Sequence, residues 1–315
     1  MKASSAARNA AFAFIYLILS GELPRHGSLL DSSLIGLQKP DGGVRPIAIG
    51  EVWYRVAGLC ALTALHELGP SLAPLQLGVG VPGGTEAVGH AVRAALAADP
   101  EAVLLTVDQA NAFNSLDRSA VFAAVKERAP ALLLFVQWAY GGPTALHVVG
   151  APAGTPPVES QVGVRQGDPL GPLLFALAVQ KVLERTQAAS PTVMVAALHD
   201  DISLVGRVQA LREAFRVLQS PQGTTGVGLR VQPAKCGVSG AHADLCAELA
   251  ADLRVRHVRE GATVCGTPVG TEAYETGVVH ARAAAVIAQV HTLMRLPLPK
   301  QSQCCLLYTS DAADE

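Results

Sequence analysis

Residues 193–206 read VMVAALHDDISLVG, and two adjacent acids, Asp200 and Asp201, interrupt an otherwise apolar stretch. Apolar runs on either side of a short polar break predict two strands meeting at a tight turn, with both carboxylates at its tip. Like charges placed together at the end of a buried hairpin repel one another and lose solvation, so they need a reason to be there. Upstream, AVLLTVDQANAFN carries Asp108 at the end of another apolar strand. Set beside the hairpin, it would bring three carboxylates to one edge of a sheet. Such hard oxygen ligands suit divalent cations such as Mg²⁺, whose charge removes the repulsion.

The chain around these acids is 315 residues long, 50% hydrophobic and 16% charged, enough for a large core and two or three subdomains. Its net charge of -2 carries no global sign of a polyanion partner, so a nucleic-acid reading must rest on local clusters. Six cysteines (Cys60, Cys236, Cys246, Cys265, Cys304 and Cys305) lack CxxC spacing and read as free thiols of a reducing compartment. The apolar stretch NAAFAFIYLILSG is too short to span a bilayer and ends at Gly21 and Pro24, as a packed helix would; no membrane partner is expected. The last eleven residues, CLLYTSDAADE from Cys305 to Glu315, read as a translated transposase adapter of a sequencing library. Residues 305–315 are therefore set aside as a non-native tail.

Period and punctuation predict a helix over 5–20, an extended pair around SLIGLQKPDGGVRPIAIG with a turn at PDGG, and helices near 51–68 and 84–98. A strand at 102–107, helices near 117–128 and 130–140, a β-rich stretch at 144–164 and a helix near 169–187 follow. After the Asp-Asp hairpin come a helix near 207–219, short strands at 227–231, 236–239 and 262–269, and a helix near 278–294. Hairpins rather than strict βαβ alternation favour an α+β fold. Asp117 reads as a helix cap, and Asp168 with Pro169 as a helix start.

In this order, LQKPDGGVRPIAIG, TVDQANAFN, GVRQGDPLGPLLFALAV, ALHDDISLVG, GLRVQPAKCGV and VCGTPVG resemble the successive motifs of reverse transcriptases. The type is that of non-LTR, LINE-like retrotransposons, with a more distant likeness to group II introns. The resemblance spans about 30–290. It implies a right-hand polymerase: fingers with the first palm helices over 1–105, an antiparallel-sheet palm over 106–274, and the start of a truncated thumb over 275–304.

The activity it implies is RNA-directed DNA polymerisation, with an RNA template, a DNA primer, dNTPs and two Mg²⁺ ions, or Mn²⁺ in their place. Asp108 and Asp200 would hold the metals with Asp201 beside them, and Lys235 would protonate the leaving pyrophosphate. Lys39 and Arg45 would clamp the triphosphate, and Phe113 would be the ring that excludes a ribose 2′-hydroxyl. Arg165, Gln166 and Gly167 would meet the incoming nucleotide, and Gly266 and Gly270 would shape the primer grip. One departure stands out: Leu198 takes the place of the family's usual aromatic residue and is followed by His199, which is read as a turn residue without a ligand role. Two other readings are an RNA-dependent RNA polymerase and a decayed reverse-transcriptase fold that only binds nucleic acid. The compartment, nucleus or cytoplasm, is left open.

Overall fold

The computed structural model describes residues 4–39 and 42–302. Pro40 and Asp41 of the expected turn and the whole 305–315 stretch lie outside the described residues. Along the chain the strands are β1 Ser32–Gln38, β2 Val44–Gly50, β3 Val103–Val107, β4 Thr144–Val148, β5 Val158–Ser160, β6 Met194–Leu198, β7 Asp201–Gly206, β8 Gly237–Ser239, β9 Arg256–His257, β10 Gly261–Val264 and β11 Thr267–Gly270. They make one sheet in the order β2-β1-β4-β5, a central sheet in the order β6-β7-β3-β8-β9, and the separate hairpin β10-β11.

The central sheet is antiparallel except at its edge, where β9 joins β8 in parallel. Its strands read as nearly continuous apolar runs because both faces are covered. Val103, Leu105, Val107, Val195, Ala197, Ile202 and Leu204 face the main core, which includes the largely buried helix Gly171–Ala189. Ala102, Leu104, Ala196 and Val205 face the other way, against Val88 and Val92 of the helix Gly84–Ala98 and Val264 and Val269 of the β10-β11 hairpin. Side chains that alternate across a pleat must all be apolar when neither face meets water. Arg93 ties the helix Gly84–Ala98 to that hairpin, donating to the Pro268 carbonyl at 2.7 Å.

Helix ends follow local chemistry. The first helix, Ser5–Ser20, is capped by the Ser4 hydroxyl at one end and closed by left-handed Gly21 at the other. Asp117 caps Arg118–Arg128 through Ser119 N at 2.8 Å. Two expectations need correction, and one helix has no expected counterpart. Residues 227–231 are not a strand: Thr224–Val227 forms a 3₁₀ turn, and Val231 alone bridges to Gln109. Ala243–Leu253 is a helix, in a stretch to which the sequence reading assigns no element. The last helix starts at Glu272, six residues early, because Thr271 supplies its cap. No helix among the described residues is long and apolar enough to cross a membrane.

Candidate active site

The register of the central sheet assembles the acids. Val107 pairs with Ile202 across β3 and β7, so the next step of that ladder sets Asp108 opposite Asp201. On the other flank the ladder ends where Thr106 pairs with Gly237; before it the chain turns, Lys235 N donating to the Gln232 carbonyl at 2.9 Å and Gln232 N to the Asp108 carbonyl at 2.9 Å, which leaves Lys235 near enough for its charge to act on Asp108. Leu198 pairs with Asp201, which leaves His199 and Asp200 as a two-residue loop. His199 takes the positive φ, 56°, that such a loop demands.

Electrostatics follow from that placement. Burial raises the Asp108 carboxyl above its usual range and Asp200 adds to the shift, while Lys235, Lys39 and Arg256 oppose it. One oxygen of Asp108, Oδ1, is buried with no partner. Burial also raises Asp200, against Arg45 and Lys39. Asp201 is pushed up to about 6 by burial, then by Asp200 and Asp108. Its residue keeps a face open to solvent, and water there screens part of that effect.

Among the described residues no three His, Cys, Asp or Glu side chains gather closely enough to hold an ion by themselves. The acids are neighbours by register without forming a closed cage. Like charges hold one another apart, and a divalent cation supplies the charge that draws such ligands in. The orphaned Oδ1 of Asp108 and the two raised neighbours fit that role, since none of the three acids has a cation in direct contact among the described residues.

Asp108, Asp201, Lys235 and Arg256 line a cleft of about 500 Å³ with the hairpin tip Cys265–Gly266. Gly266 turns the tip at φ 80°, and Gly270 ends the returning strand. Arg256 and Tyr274 are lining residues that the motif reading missed. Arg256 donates to the Lys235 carbonyl at 3.0 Å and so braces the loop that carries Lys235. Burial, with Asp201 and Asp200 adding, pushes the Cys265 thiol up to about 12, so it stays a neutral thiol.

Around this centre Lys39 and Arg45 sit at the turn end of the β1-β2 hairpin, Arg45 opposite Leu37, and both act on the acids across space. Phe113 stacks on Phe175 at 4.6 Å and meets the His199 ring edge-on at 6.1 Å, which sets it against the acidic turn. Gln166 hands its carbonyl to Ala48 N at 2.7 Å and keeps its side-chain Oε1 without a partner. Gly167 follows at φ 101°, where a Cβ would sit 2.7 Å from the Ala48 carbonyl, so only glycine fits.

Arg165 is the correction. Its side chain is only 4% exposed and pairs with Asp168 at 3.1 Å, donates to the Leu30 carbonyl at 2.8 Å, and lies between the Tyr54 and Tyr140 rings. A guanidinium so occupied cannot reach a nucleotide. It anchors the Gln166–Gly167 loop from below.

Residues 37–246 match the reverse transcriptase (RNA-dependent DNA polymerase) family. The chain belongs to that family. It is also 30% identical over 190 residues to the retrotransposable element SLACS 132 kDa protein of Trypanosoma brucei gambiense, an alignment covering 58% of this chain and 15% of that protein. The chain thus spans a small part of that relative's length. Among solved structures, the telomerase of Candida albicans in complex with a TWJ fragment of telomeric RNA superposes with a TM-score of 0.55 at 10% identity, over 85% of this chain and 48% of that one. Apo telomerase of Candida tropicalis gives 0.53 at 11% identity, over 76% and 50%. Identities this low speak for the fold alone, and the fold is the right-hand polymerase. Reverse transcriptases as a family use divalent metal ions.

Proposed function

We propose that this chain is the polymerase module of a non-LTR retroelement, an RNA-directed DNA polymerase that extends a DNA primer on an RNA template with dNTPs. The observation that carries the reading is the register that sets Asp108 beside Asp201, in a cleft shared with Lys235, with one Asp108 oxygen buried and unpartnered among the described residues. In this reading the fingers with the first palm helices run over about 1–105, the palm over 106–274 and the start of the thumb over 275–304, the first boundary falling within β3, a strand of the palm sheet.

Asp108 and Asp200 would hold two metal ions, with Asp201 supporting them. What two Mg²⁺ ions, or Mn²⁺ in their place, supply there is a lowered pKa at the primer 3′-hydroxyl and positive charge for the departing pyrophosphate. The protein does the rest. Lys235 holds the proton that the pyrophosphate takes up. Lys39 and Arg45 bind the triphosphate, Arg45 with the two-pronged geometry that suits phosphate oxygens. The Phe113 ring, held flat by Phe175, fills the space of a ribose 2′-hydroxyl. Gln166 turns its free amide to the nucleotide over Gly167. The hairpin at Gly266 and Gly270 lies along the primer backbone.

Primer extension on poly(rA)/oligo(dT) with Mg²⁺ tests this reading. The chain is expected to incorporate dTTP and to reject UTP, with Asp200→Ala lowering incorporation by about 10³-fold or more. Phe113→Ala should admit UTP. A chain that binds the primer-template by fluorescence anisotropy but extends nothing would overturn polymerisation and leave a fold that only binds nucleic acid.

A further inference from the structure

The two-residue loop that carries Asp200 is held by a residue more than a hundred positions away. The segment Leu75–Gly78 runs beside β6: Ala197 N donates to the Leu75 carbonyl at 2.7 Å, and Leu77 N donates to the Ala197 carbonyl at 2.8 Å. Between them Gln76 is fully buried. Its side-chain amide is spent on the turn. Oε1 accepts from His199 N at 2.8 Å and from Gly78 N at 3.0 Å, while Nε2 donates to the His199 carbonyl at 3.2 Å. Both peptide groups that flank His199 are therefore fixed by one side chain. The second of them is the peptide that leads into Asp200.

Gly78 completes the arrangement. A Cβ at Gly78 would lie 2.9 Å from His199 N, Cε1 and Nε2, so the missing side chain is the seat of the imidazole. On its far side the ring meets Phe113, which stacks on Phe175. Burial lowers the His199 pKa and keeps the ring neutral, and its Nδ1 is buried without a partner. The ring thus works by its shape.

We propose that Gln76 is a positioning residue for the Asp200 carboxylate: it holds His199 in its left-handed conformation from both peptide sides, with Gly78 as the ring seat, and so aims Asp200 at the reacting centre. This rests on the polymerase reading above. An alternative in which Gln76 only stabilises the Leu75–Gly78 segment accounts for its burial. It does not account for an amide whose donor and one of whose two acceptor bonds both go to His199.

The test compares Gln76→Met, which keeps the volume and removes the amide, with Gln180→Met. Gln180 is likewise buried and donates to the Leu72 carbonyl, but it makes no bond to the turn. Amide hydrogen exchange of His199 is read in the whole chain without substrate, and kcat and KM for dTTP on poly(rA)/oligo(dT). Gln76→Met is expected to speed His199 exchange by about tenfold or more and to lower kcat by about 10²-fold, with KM little changed. Gln180→Met should lower the melting temperature and leave His199 exchange and kcat as they were. Gly78→Ala, whose Cβ would press on the His199 ring and backbone N from the other side, should lower kcat by more than its loss of folded fraction accounts for, and it serves if Gln76→Met does not fold. Unchanged kcat in a folded Gln76→Met, or unchanged exchange at His199, overturns the inference. An inactive parent chain whose His199 exchange still depends on Gln76 would sink the polymerase reading and spare the clamp.

Discussion

Two carboxylate sites in this molecule have been treated in opposite ways. Asp168 is buried and saturated: Oδ2 accepts from Tyr54 OH at 2.5 Å, Tyr140 OH at 2.6 Å and Arg165 at 3.1 Å, and Oδ1 accepts from Leu170 N at 2.9 Å. Burial by itself would lower the Arg165 pKa, yet Tyr54, Tyr140 and Asp168 more than offset it and hold the cation charged. Asp108, Asp200 and Asp201 have no such partner in contact among the described residues, and all three are held above the usual carboxylate range. A buried charge with its counter-charge in place is architecture. Buried acids without one are disposed to take up a cation from outside.

The sharpest way to break this contrast is to remove the compensation from the saturated site. Arg165→Met leaves Asp168 and two phenols without their cation and should cost about 3–5 kcal/mol, read as a lower urea midpoint. Activity should fall with the folded fraction and somewhat further, because the Gln166–Gly167 loop loses its anchor. Arg165→Lys should recover part of the loss, because an ammonium cannot lie as a plane between two rings. A midpoint that stays put in Arg165→Met would mean the network is not a stabilising one.

Removing a charge from the uncompensated site should do the reverse. In the presence of a chelator at pH 7.5, Asp201→Asn is expected to melt slightly higher than the parent, because it ends a repulsion while keeping the shape. Its incorporation of dTTP should nevertheless drop. A lower melting temperature would show that Asp201 is already paired in the metal-free protein.

The smallest effect is the pH dependence. Since folding raises the Asp201 carboxyl to about 6, the folded state binds its proton more tightly than the unfolded chain does. That contribution is complete below the ordinary carboxylate range and is lost as pH rises through about 6. The metal-free protein should therefore lose a little stability between pH 5 and 7, a slope that Asp201→Asn removes and saturating Mg²⁺ flattens. Incorporation should decline as pH is lowered through the same range, where protons compete with the ion. A profile flat from pH 5 to 7 would place the controlling group elsewhere.

Much of this could be read along the chain. Continuous apolar runs ending in Asp108 and flanking Asp200–Asp201 announce strands buried on both faces, and the motif order announces how they meet. The helices Ser5–Ser20 and Gly84–Ala98 fall where period and end signals put them. The helix Ala243–Leu253 was also legible in principle, since Cys246, Leu249 and Ala250 keep helical spacing, but small residues blur its apolar stripe. Arg165 was misread because it sits inside a motif beside Gln166 and Gly167, and nothing in the local sequence reveals which of three neighbours turns inward.

What the sequence determined by itself is the set of elements and the chemistry at their ends, because strand and helix periods, caps and turns act between residues close along the chain. What only the tertiary structure decided is which polar group is spent and which is left free. Arg165 and Asp168 find Tyr54 and Tyr140, and Gln76 finds His199 across more than a hundred residues, through packing that brings distant segments together. Asp108, by contrast, is left with an oxygen that nothing among the described residues satisfies. Local rules can say that an acid is present, but only the folded surroundings say whether it is already compensated.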